Sequence, residues 1–111
     1  MTNEEIKKKA LSYLGLARKS GRIALGADSA LSEIRKSGAA GNIAVIVALD
    51  ASERTKKQIN DKCAYYGVDA VNGLLTGDEI AHAVGKDMTV TSAALTDKNL
   101  ASALLKIIKN G

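Results

Sequence analysis

A chain of 111 residues that is 46% apolar and 25% charged has the size and composition of one folded domain, spanning 1–111. It has no apolar run of about 18 residues to cross a membrane and no apolar segment behind its N-terminal lysines to act as a secretory signal. Its single cysteine excludes an internal disulfide and fits the cytoplasm.

The net charge of +4 is unevenly spread. Residues 1–22 carry six Lys/Arg against two Glu, and residues 68–87 carry four acids against one lysine. A basic end and an acidic end suit a nucleic-acid partner better than a membrane.

The first predicted helix begins near Asn3 as cap, with Glu4 and Glu5 in the first turn, where the helix dipole favours acids. Ile6, Ala10, Tyr13, Leu14 and Ala17 form its buried stripe, and Gly21 is the residue just past its end. Residues 22–25 read as a short strand that Gly26 breaks. Asp28 or a neighbour then caps a second helix with Ala27, Ala30, Leu31 and Ile34 inward, ended by Gly38 or Gly41.

Residues 42–49, NIAVIVAL, are almost wholly apolar and rich in β-branched side chains, as in a central strand covered on both faces. Ser52 caps a third helix that buries Thr55, Ile59, Cys63 and Tyr66 and stops at Gly67. Residues 68–71 form a short strand. Thr76 and Glu79 have the capping-box spacing, and the helix they start holds Ile80, Ala83 and Val84. After a loop over 85–89, a strand over 90–95 leads to a last helix opened by Asp97, with Leu100, Leu104, Ile107 and Ile108 inward. Helices alternating with strands in this way argue for a three-layer α/β/α sandwich around a four-stranded sheet.

No enzyme site assembles from these residues. His82 has no cysteine or second histidine nearby, which excludes the usual zinc spacings, and it reads as a structural or surface histidine. Cys63 reads as a packed thiol. The Gly-rich fingerprints for phosphates are absent, and a helix cap accounts for the Asp78/Glu79 pair. We expect no catalysis, no metal and no cofactor.

With three tyrosines and no Phe or Trp, an aromatic platform for stacked bases is a poor fit. What remains is a helix N-terminus presented by the turn Gly26–Ala27–Asp28–Ser29. Arg18, Lys19, Arg22, Arg35 and Lys36 are available to line the approach. Free backbone N–H groups and the positive dipole end suit phosphate or base edges. Any capped α/β helix has the same ingredients, and Asp28 then serves only as the cap, so both readings stay open at this level.

Three stretches carry a resemblance: LGLARKSGRIALGADSALSEIRKSG, AVIVALDAS followed by ERTKKQINDKCAYYGV, and EIAHAVGK. Through them the whole chain resembles the L7Ae/L30e superfamily of ribosomal and kink-turn-binding proteins, and is most similar to its small bacterial YlxQ-type members. The resemblance implies an α/β/α sandwich on a four-stranded mixed sheet that binds structured RNA, ribosomal RNA included, at a kink-turn. The helix start equivalent to Gly26–Ser32 would enter the widened groove at the bend and contact guanine edges. A loop equivalent to residues 86–90 would pack apolar atoms against an extruded nucleotide.

The implied RNA-binding residues are Lys19, Arg22, Gly26, Ala27, Asp28, Ser29, Ser32, Arg35, Lys36, Met88, Thr89 and Val90. Archaeal relatives commonly read Gly-x-Asn-Glu-x-x-Lys where this chain has Gly26, Asp28, Ser29 and Ser32, and an acid is common where Leu49 stands. The fewer charged contacts imply weaker or more selective binding. A monomer is expected, with RNA and ribosomal components as its partners. The rival is a protein-interaction or structural module on the same fold, kept open by Ser29, Ser32 and the acidic stretch from Asp69 to Asp87.

Overall fold

The computed structural model describes residues 1–37 and 43–110. The cap of helix α1 (Asn3–Lys19) lies one residue earlier than expected: Thr2, not Asn3, holds that position, in a reciprocal capping box with Glu5. The Thr-x-x-Glu spacing satisfies two orphan N–H groups at once, which Asn3 cannot do. Ile6, Ala10, Leu14 and Ala17 are buried and Tyr13 lies half-buried beside them. Gly21, with φ of 71°, follows the last turn.

Strand β1 (Ile23–Leu25) leads through Gly26 into α2 (Ala27–Ser37), which buries Ala30, Leu31 and Ile34. The expected stops at Gly38 and Gly41 lie outside the described residues, as does Asn42. Strand β2 (Ala44–Val47) is buried throughout, as its unbroken apolar run requires. Helix α3 (Glu53–Tyr66) begins at Ser52, whose Oγ accepts from Thr55 N–H at 3.1 Å, and ends at Gly67 with φ of 72°. Then come β3 (Asp69–Val71), α4 (Gly77–Ala83) behind a second capping box at Thr76 and Glu79, β4 (Ser92–Leu95) and α5 (Lys98–Asn110). Strand β4 starts two residues later than expected because Val90 N–H is taken by Gly77 O at 3.1 Å, outside the sheet.

The sheet order is β1-β4-β2-β3. Strands β2 and β3 run parallel, and β4 is antiparallel to both β1 and β2. The expected α/β/α layering on a mixed sheet is thus observed. Helices α2 and α3 pack together on one face, and α1, α4 and α5 pack together on the other. Because β1, β2 and β3 point the same way, the start of α2, the turns after β2 and β3, and the loop before β4 gather at one end of the sheet. Among the described residues, no helix is long and apolar enough to cross a membrane.

Candidate nucleic-acid interface

Among the described residues, four of the five helices open on a side-chain cap. Thr2, Ser52 and Thr76 hold the starts of α1, α3 and α4, and Asp97 Oδ1 accepts from Asn99 and Leu100 N–H at 2.9 and 3.0 Å for α5. Helix α2 does not. Gly26 occupies its cap position: Gly26 O accepts the first helical bond, from Ala30 N–H at 2.9 Å, and there is no side chain to serve the turn that follows. Asp28 therefore is not the cap. It lies inside the first turn and is exposed, with Ser29 beside it.

The reason is local. Gly26 leaves β1 with φ of 91° while its N–H donates to Ser92 O at 2.8 Å, so the chain turns directly from strand to helix. That backbone angle favours glycine, and Gly26, the one residue between strand and helix, has no side chain with which to cap it. The outcome is a helix mouth with unserved N–H groups and the positive end of the dipole facing out, a ready acceptor site for phosphate or base-edge oxygen and nitrogen.

Two hollows flank this mouth. One, of about 520 Å³, runs along α2 and β1 and is lined by Arg18, Ile23, Leu25, Ser29, Ser32, Glu33, Lys36 and Lys86 among others. Within it Lys36 Nζ lies 3.5 Å from Glu33 Oε2. The other, of about 380 Å³, is bounded by Leu25, Gly26 and residues 86–91. Met88 stands out from that loop with 80% of its surface exposed.

The loop is seated from below by α4. Gly77 is buried, its O accepts from Val90 N–H, and its own N–H donates to Asp50 Oδ1 at 2.8 Å. A Cβ on Gly77 would run into Thr89 Oγ1 and stand 3.1 Å from Val90 O. Glu79 anchors the same turn: it accepts from Thr76 N–H at 2.9 Å and pairs with Lys7 of α1 at 3.1 Å. The Thr76 N–H first, and the lysine after it, hold this carboxyl below its ordinary range.

Of the residues singled out from the sequence, Gly26, Ala27, Asp28, Ser29, Ser32 and Lys36 lie along the mouth and first face of α2. Met88, Thr89 and Val90 stand across from them in the second hollow. Val90 is buried and belongs to the core as much as to the loop, which leaves Met88 as the projecting apolar group. Lys19, Arg22 and Arg35 are exposed but line neither hollow. Lys86 lines both, and it was the unselected cation. Its signal was its isolation as the one lysine in the acidic stretch 68–87.

Residues 8–105 match the model of the ribosomal protein L7Ae/L30e/S12e/Gadd45 family. The chain belongs to that family. Within it, the chain is 38% identical over 88 residues to the RNA-binding protein YlxQ of Enterococcus faecium, covering 79% of this chain and 82% of the relative. It is 32% identical over 95 residues to the RNA-binding protein YlxQ of Bacillus subtilis (strain 168), covering 86% and 90%. It is thus a YlxQ-type member.

The fold is shared with solved structures. A protein of unknown function from Bacillus halodurans C has a TM-score of 0.79 at 24% identity, over 90% of this chain and 96% of that one. The 15.5kD RNA binding protein of Giardia lamblia has a TM-score of 0.80 at 19% identity, over 99% and 92%.

Proposed function

We propose that this protein is a non-catalytic, cytoplasmic RNA-binding protein. It works as a single domain and as a monomer, and recognises a kink-turn or similarly bent motif in structured RNA, ribosomal RNA included. The observation that carries the reading is the uncapped mouth of α2, set between a groove bearing three cations and a loop bearing an exposed methionine. The two relatives named for RNA binding support it.

The physical logic favours a bent target. The major groove of a regular A-form helix is too deep and narrow for a helix end to reach base edges, whereas a sharp bend opens it. In the complex, Asp28 accepts from guanine N–H groups, Ser29 and Ser32 contact edges or sugar, and Met88 packs on the unstacked base. Arg18, Lys36 and Lys86 draw in phosphates.

The test is titration of a labelled consensus kink-turn RNA beside the same RNA with its G·A pairs replaced by Watson–Crick pairs, at two salt concentrations. Replacement is expected to weaken binding about tenfold or more, which is about 1.4 kcal/mol. Equal and salt-sensitive binding to both RNAs would leave only a basic surface. Asp28→Ala and Lys36→Ala should each weaken the kink-turn complex, and wild-type affinity in both variants would refute the site.

A further inference from the structure

The hydrogen-bond parity of β1 leaves one of its edges open. Arg22 O accepts from Thr96 N–H at 3.0 Å and Gly26 N–H donates to Ser92 O at 2.8 Å. The register between them pairs Ile23 with Leu95, Ala24 with Ala94 and Leu25 with Ala93. Bonded pairs alternate in an antiparallel ladder, so Ala24 faces β4, and the N–H and C=O of both Ile23 and Leu25 point away from it. Strand β4 keeps the same alternation: Ala48 N–H donates to Thr91 O, which turns Ala93 and Leu95 toward β2. Among the described residues β1 pairs with β4 alone and ends the sheet. Ile23 and Leu25, which carry its outward groups, line the groove beside α2.

We propose that this groove takes an acidic protein segment in extended conformation, added to β1 as a further strand. The open edge offers donors and acceptors in alternation, which a peptide backbone matches on both counts. A phosphate chain would satisfy only the N–H groups and set its oxygens against the carbonyls. Arg18, Lys36 and Lys86 face the groove against one acid, Glu33, so carboxylate side chains on the added strand are attracted. Strand β1, Ile-Ala-Leu, is short but carries neither a charge nor a proline to turn a further strand away. At about 3.3 Å per residue, three to five residues of the partner span this edge. The proposal does not rest on RNA binding at the helix mouth, although the two ligands share Arg18, Lys36 and Lys86.

The probe is a synthetic peptide, acetyl-Glu-Val-Glu-Val-Glu-amide, added to the nitrogen-labelled protein, with acetyl-Lys-Val-Lys-Val-Lys-amide as charge control. Amide hydrogen exchange is read residue by residue. The acidic peptide should slow exchange at Ile23 and Leu25 about tenfold or more, leave the already bonded Ala24 unchanged, and outperform the basic peptide. Ile23→Pro removes one outward donor without touching the β4 ladder and should weaken the peptide complex about tenfold. Ile23→Ala keeps the donor and should bind as wild type does. If the proline variant melts, Arg18→Glu takes its place, with loss of acidic-peptide binding expected. Unchanged exchange at Ile23 and Leu25 at the highest soluble peptide concentration overturns the proposal. Protection of those two amides by an RNA oligonucleotide, and not by the peptide, overturns it as well.

Discussion

Lys86 is the cation that borders both hollows, and on the proposed reading it meets the phosphates that flank the bend. Lys86→Ala should lower the slope of log affinity against log salt by roughly one unit. Arg35→Ala, outside both hollows, should change that slope less; titration of kink-turn RNA across a salt series separates the two. A different side chain bears on stability alone. The Ser92 hydroxyl is fully buried with no hydrogen-bond partner among the described residues, although its carbonyl serves Gly26. Removing a desolvated, unserved hydroxyl costs little packing, so Ser92→Ala should stabilise the fold by about 1 kcal/mol. Urea denaturation of the two proteins checks this, and a lower midpoint for the variant would count against it.

Helix α4 acts as the floor of the apolar loop, and Gly77 is where floor and loop touch. Gly77→Ala inserts a Cβ into space held by Thr89 and Val90, so overpacking of about 1–3 kcal/mol is expected. RNA affinity should fall with it although residue 77 is buried; thermal melts and the same RNA titration report both effects. The elements themselves were legible because their signals are short-range: helical stripes in α1 and α5, a β-branched run in β2, capping spacings at Ser52 and Thr76. The strand order was not. Nothing in the local pattern of Ser92-Ala-Ala-Leu95 says that β4 slots between β1 and β2. The missed cap at Thr2 was within reach, since Thr2 and Glu5 have the same spacing as Thr76 and Glu79.

At the scale of the whole molecule, Glu79 couples stability to pH. Its carboxyl is held below the ordinary value in the folded protein, so its contribution is full above the unfolded value and is lost as pH falls through the folded one. Glu79→Gln should therefore be less stable than wild type near neutral pH, and the gap should close in acid. Denaturation midpoints at a series of pH values test it.

The candidate site was half legible for a related reason. The glycine turn and the Met88 loop announce themselves as stretches of sequence, whereas a cation's place in a groove depends on which side of a helix faces which strand. Lys36 and Arg35 are neighbours in sequence, yet only Lys36 lines the groove.

Strand β1 also sets the order of assembly. Its one partner among the described residues is β4, and the pairing joins residues 24 and 94, far apart in the sequence. Closing so long a loop costs entropy before any contact rewards it. A nascent chain that has not yet delivered residues 92–95 lacks the Ser92 carbonyl that takes the Gly26 N–H. The start of α2 thus takes its final shape only once residues 92–95 are in place.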